Sequence, residues 1–119
     1  MQRFWYGAVV LNVVNGDTVD LMIDLGFNIQ HTVRVRLYGA SAPESRSKDP
    51  IEKEMGLRAK SFTNDWLTRH EWVFVNTILD KNEKYGIVLA KIYSSDKVDD
   101  PKTACLNTDI VQAGYAREH

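Results

Sequence analysis

A single cysteine, three prolines and no surplus of charge of either sign already exclude several kinds of protein. Cys105 has no second cysteine to pair with, so no intrachain disulfide can form, as suits a reducing compartment. It also lacks the nearby His that a thiol nucleophile needs. No apolar run is long enough to span a bilayer. The opening residues, Met1-Gln2-Arg3-Phe4-Trp5-Tyr6, lack the apolar core and cleavage site of a signal peptide, so we expect a cytoplasmic protein, encoded by a host or a virus. Fifteen Lys and Arg against sixteen Asp and Glu give a net charge of −1. That balance excludes a uniformly basic surface, and any nucleic-acid face has to be a local patch. His31, His70 and His119 are scattered, without zinc-site spacing. At 119 residues the chain fits one compact domain over 1–119.

What is present is patterned. Val9 to Val14 reads as a strand closed by the turn Asn15-Gly16-Asp17, where Asn-Gly tolerates positive φ. The next segment alternates, with Val19, Leu21 and Ile23 on one side and Asp20, Met22 and Asp24 on the other. After the turn Leu25-Gly26-Phe27-Asn28, Val33, Val35 and Leu37 oppose Arg34, Arg36 and Tyr38. Three antiparallel strands in succession are expected. Ser41 to Asp49 is a polar loop. A helix then starts with Asp49 as N-cap, Pro50 in the first turn and Glu52 completing a capping-box pattern. Ile51, Met55, Ala59, Phe62 and Trp66 form one apolar stripe, read as core packing. Glu71 to Leu79 and Ile87 to Ser94 read as strands, joined by the charged turn Asp80 to Lys84. A short helix, Thr108 to Ala113, ends at Gly114. The implied fold class is α+β, mainly β: a five-stranded OB-fold barrel with a helix after strand 3 and a short C-terminal helix.

Five blocks in order carry a resemblance. They are Val14-Asn15-Gly16-Asp17-Thr18-Val19, then Val35-Arg36-Leu37-Tyr38-Gly39-Ala40-Ser41-Ala42-Pro43-Glu44, then Gly56-Leu57-Arg58-Ala59-Lys60, then Lys84-Tyr85-Gly86, and finally Leu106-Asn107 with Ala113-Gly114-Tyr115-Ala116. From about Tyr6 to Ala116 the chain resembles the staphylococcal-nuclease-like (thermonuclease) family. The resemblance implies calcium-assisted phosphodiester hydrolysis, in which carboxylates hold Ca²⁺, a glutamate activates or positions water, and two arginines stabilise phosphoryl charge. It gives Asp17 the role of metal ligand, Arg36 that of the first phosphate arginine and Glu44 that of the catalytic glutamate. Lys84 and Tyr85 resemble residues near the bound nucleotide.

Departures from the family pattern decide the function classes. The second metal aspartate is Ser41, a weak neutral ligand at best, the second arginine is Ile87, and the first aspartate of the turn is Asn15. A phosphoryl-clamping arginine is worth roughly 10³–10⁵ in rate. Arg34, Lys84 and Lys91 are the nearest substitute cations, and lysine lacks the planar fork of arginine. Longer secreted members continue into a third helix, so a weaker substrate grip is expected of a chain ending at His119. Three functions fit the pattern. One is a catalytically impaired member that binds single-stranded DNA or RNA through Arg34, Arg36, Lys84 and Tyr85, or binds a protein partner. Another is an active calcium-dependent nuclease using Asp17, Arg36 and Glu44. The third is a protein-interaction module without nuclease chemistry. Plainer readings stand beside these: Asp17 as a turn residue, Glu44 as an exposed loop carboxylate, and Arg34 with Arg36 as a solvated strand face.

Overall fold

The computed structural model describes residues 3–70, 72–78 and 87–119. In chain order its elements are β1 (Arg3–Asn15), β2 (Thr18–Asp24), β3 (Gln30–Leu37), β4 (Ala40–Ser41), α1 (Pro50–Thr68), β5 (Val73–Ile78), β6 (Ile87–Tyr93), α2 (Leu106–Gln112) and β7 (Arg117–Glu118). Five strands close a barrel in the order β1-β2-β3-β6-β5, and β4 pairs with β7 in a separate two-stranded ribbon. Within the barrel β3 and β6 run parallel and the other neighbours antiparallel. This is the OB-type barrel expected from the sequence, and β1 to β3 form the expected meander.

Period-two alternation explains the core. Val19, Leu21, Ile23, Val33, Val35, Leu37, Val73, Val75, Ala90 and Ile92 are all buried in one cluster. β1 begins six residues before the strand read from sequence. Its first half pairs with β5 and its second half with β2, sharing Ala8, which faces both Val73 and Ile23. Register shifts between Val10 and Asn12 and between Val13 and Asn15 bend the strand so that one segment serves both neighbours.

Helix α1 starts where the capping signals put it. Asp49 accepts the Ile51 N–H at 3.0 Å, while Glu52 accepts from the Ser47 hydroxyl at 2.8 Å and Ser47 Oγ accepts the Asp49 N–H at 3.2 Å. The reciprocal box is thus relayed through Ser47. The expected apolar stripe needs correction at its N-terminal end: Ile51 is 71% and Met55 51% exposed. The buried face is Gly56, Ala59, Thr63, Trp66 and Leu67. Small residues at 56 and 59 bring the helix close to the Glu44–Ser45 loop and to the β1–β2 turn, and the first turn of the helix stands beyond the layer it covers.

Helix α2 begins at Leu106, two residues earlier than expected, and ends as expected before Gly114, whose φ is +85°. Its second residue, Asn107, is buried and closes the barrel. The Asn107 amide donates to the Tyr38 and Ala90 carbonyls at 2.8 and 3.0 Å, and its oxygen accepts the Ile92 N–H at 3.0 Å. The expected turn from Asp80 to Lys84 lies outside the described residues.

Replacing Asn107 tests this closure. Asn107→Ala orphans the Ile92 N–H and the Tyr38 carbonyl, with an expected loss of roughly 2–4 kcal/mol in denaturant unfolding. Asn107→Asp should not rescue it, because a carboxylate would then face two carbonyl oxygens.

Candidate functional site

Asn15 pairs with Thr18, leaving Gly16 and Asp17 as a two-residue connection between β1 and β2. The turn is held from two sides. On one side α1 leaves no room for a side chain at Gly16, where a Cβ would stand 2.7 Å from that of Ala59, and the Thr63 hydroxyl donates to the Gly16 carbonyl at 2.6 Å. On the other side lies the segment after β4. Asn15 Oδ1 accepts from the Ser45 N–H at 3.1 Å and the Ser45 hydroxyl at 2.7 Å. Asp17 accepts from the Ala42 N–H through one carboxylate oxygen and from the Thr18 hydroxyl through the other, each at 3.0 Å. Asp17 is buried, and its carbonyl accepts the Leu37 N–H at 2.8 Å, which sets it beside Arg36.

Glu44 follows in the same loop. It is exposed, and among the described residues no hydrogen bond or ion pair engages its carboxylate. Its backbone is fixed from below: a Cβ on Gly56 would lie 2.4 Å from the Glu44 carbonyl carbon and oxygen. The carboxylate is therefore carried on a rigid loop.

The two arginines of β3 differ in setting. Arg36 is half-buried, paired across to Thr18 on one side and Leu89 on the other. Arg34 is bound by its cross-strand neighbour Asp20, with Nε 2.9 Å from Oδ1 and Nη2 3.3 Å from Oδ2. The hydrogen bond from Arg34 is the main cause that holds the Asp20 carboxyl below its ordinary value of 3.8; burial opposes it, and the attraction of Arg34 and a bond from Asn12 assist. The same partner raises Arg34 above its ordinary value. Any phosphate contact through Arg34 has to compete with Asp20.

Ile87 is aligned with Arg34 across the parallel β3–β6 pair. Val88, Ala90 and Ile92 face the core, so Ile87, Leu89, Lys91 and Tyr93 face outward with Arg34 and Arg36. The apolar side chain thus stands in the same outward row as the two arginines. Lys91 lies farther along, its Nζ 5.9 Å from the centre of the Tyr38 ring. Lys84 and Tyr85 lie outside the described residues.

Ser41 sits in β4 and pairs with Arg117 of β7. This pairing is absent from the sequence reading, because two-residue strands leave no periodic signal. Among the described residues no three His, Cys, Asp or Glu gather as an ion site. Calcium takes six to eight oxygens, generally with several carboxylates. Asp17, already accepting from two donors, and the neutral Ser41 do not fit that requirement. Asp17, Arg36 and the loop bearing Glu44 are brought together; the two expected site positions at Ser41 and Ile87 bring no charge to them.

A family model described as staphylococcal nuclease homologue matches residues 34–119. No curated protein matches the chain. The matched span takes in the second half of β3, Glu44, α1 and β6, while the Asn15–Asp17 turn lies before it and joins the site through its contacts with Ala42, Ser45 and Leu37.

Two outcomes are expected here. Alanine favours a helix over glycine by about 1 kcal/mol, yet Gly56→Ala should destabilise by roughly 1–3 kcal/mol, because the overlap is with loop backbone; chemical denaturation gives the sign. For Asp20, the depressed folded value means that its contribution is present above its ordinary value and lost as pH falls through the lower folded one. The melting difference between wild type and Asp20→Asn should therefore shrink as pH falls below 3.8.

Proposed function

The chain belongs to the staphylococcal nuclease homologue family, and from that premise we propose that it is a member with impaired phosphodiester hydrolysis that is kept for binding single-stranded nucleic acid. The observation that carries this reading is the outward row in which Ile87, aligned with Arg34, stands where the family places its second phosphate arginine. An isoleucine neither neutralises a phosphoryl oxygen nor donates to one. The family in general depends on Ca²⁺, which when bound supplies charge neutralisation at the phosphate. Ser41 in place of the second carboxylate and the two bonds already made by Asp17 argue against strong calcium binding here.

What remains is suited to holding a phosphate chain. Arg36 sits on the outward face of β3 beside the buried Asp17 turn, and Glu44 stands on a loop fixed by Asn15, Asp17 and Gly56. Arg36 contributes the phosphate contact beside Arg34, whose guanidinium is shared with Asp20. Binding of this type falls as salt rises, because it depends on the release of counterions.

Cleavage of a fluorescently labelled single-stranded DNA, with calcium or with chelator, tests the reading beside a Glu44→Ala control. Wild type should cleave no faster than the control, while anisotropy detects salt-sensitive binding that Arg36→Ala weakens. Calcium-dependent cleavage that disappears in the control would instead establish an active nuclease. Restoring both groups, as Ser41→Asp with Ile87→Arg, should give calcium-dependent cleavage where the parent has none. The arginine alone is worth roughly 10³–10⁵ in the systems where it acts on a phosphoryl group.

A further inference from the structure

Beyond the phosphate row, the outward face of β1, β5 and β6, with the residue that follows β3, carries two exposed rings and a third half-buried one. Cross-strand register aligns Trp5 with Asn76 and Asn76 with Lys91, and the Tyr38 N–H donates to the carbonyl of Ala90, next to Lys91. Trp5 and Tyr38 are 46% and 41% exposed, values high for large aromatic side chains. Trp5 and Tyr93 meet diagonally across β5, with ring centres 5.2 Å apart. Asn76, between Trp5 and Lys91, is buried, and its amide nitrogen has no partner among the described residues. Beside these rings a cavity of about 530 Å³ is lined by Tyr38, Lys91, Tyr93, Thr108, Val111 and Glu118, among others. That volume is in the range of small-ligand sites.

We propose that this cavity is a base-stacking subsite for single-stranded nucleic acid, distinct from the Arg36 row. The inference rests on the nucleic-acid-binding reading above. Tyr38 is two residues beyond Arg36 on the same outward face, so a strand whose phosphate meets Arg36 runs directly onto the Tyr38 ring and the Lys91 ammonium. Rings take the flat faces of bases, whatever their sequence, and Lys91 takes the next phosphate. Glu118, the acidic group of the lining, stands against a second anion close by, so the strand path lies on the Lys91 side. An apolar peptide would use the rings without needing Lys91. A single strand uses both, and this combination selects the occupant.

The test is anisotropy of a fluorescein-labelled oligothymidine titrated with the whole protein at several salt concentrations. Tyr38→Leu, which keeps apolar bulk but removes the ring, should weaken binding about tenfold. Tyr38→Phe should bind as wild type does. Lys91→Gln should weaken binding and lower the salt slope by about 0.7, the contribution of one phosphate contact on a single strand. Circular dichroism checks that each variant is folded. If Tyr38→Leu and Lys91→Gln bind like wild type while Arg36→Ala loses affinity, the subsite is wrong and the phosphate-row reading survives. If wild type does not bind the oligonucleotide at all, both fall.

Discussion

The Gly16 backbone lies so close to helix α1 that the turn between β1 and β2 has one place to be. Ala59 leaves no space for a side chain at Gly16, and Thr63 holds the Gly16 carbonyl from the same helix. With the turn fixed, Asn15 and Asp17 can reach across to Ser45 and Ala42, and the loop bearing Glu44 is set down between turn and helix. Gly56 completes the arrangement by allowing the helix to touch the Glu44 backbone. Glycine costs helix stability relative to alanine by about 1 kcal/mol, so its use inside α1 makes sense only through this close approach. The framework thus rests on small residues and side-chain-to-backbone bonds.

A second constraint organises the opposite end. Parallel pairing of β3 with β6 needs a long crossover, and the two are tied together by Asn107, whose amide bonds to Tyr38 just past β3 and to Ala90 and Ile92 of β6. Parallel register aligns Arg34 with Ile87 and Arg36 with Leu89, and Tyr38 then lies beside Lys91. The outward surface therefore changes along one strand pair from an ion-paired arginine, through a half-buried arginine, to an aromatic ring under a cation. Helices α1 and α2 are joined in turn by the Trp66 indole, which donates to Asp109 at 2.9 Å. The core side of the barrel and its chemically varied outer side are thus fixed by the same alternation.

Much of this architecture was legible because it is written in short-range terms. Alternation in β2 and β3, the Asp49-Pro50 helix start and the Gly114 helix end are local properties, and each stands where the sequence puts it. The start of β1 was not legible, since Arg3 to Tyr6 shows no clean alternation and is a strand because β5 lies beside it. Ile51 and Met55 continue the spacing of a buried stripe, but helical periodicity does not report where the neighbouring layer ends. For the site, the identities of Asp17, Arg36 and Glu44 came from recurring motifs. The two bonds made by Asp17 and the capture of Arg34 by Asp20 did not, because each depends on residues distant in sequence.

By itself, then, the sequence determined the alternation that builds a small barrel, the limits of its helices and the family to which the chain belongs. It also determined that Ser41 and Ile87, the two positions at which the resemblance expects a carboxylate and an arginine, carry no charge. Tertiary structure decided how the remaining groups are used: which oxygens of Asp17 are engaged, that Arg34 is ion-paired with Asp20, that Ser41 faces Arg117 across a ribbon, and that Tyr38, Lys91 and Tyr93 line one cavity. The reason is physical. Local conformation is set by the few residues around each position, whereas charge pairing, burial and cavity shape depend on chain segments that meet only when the barrel closes.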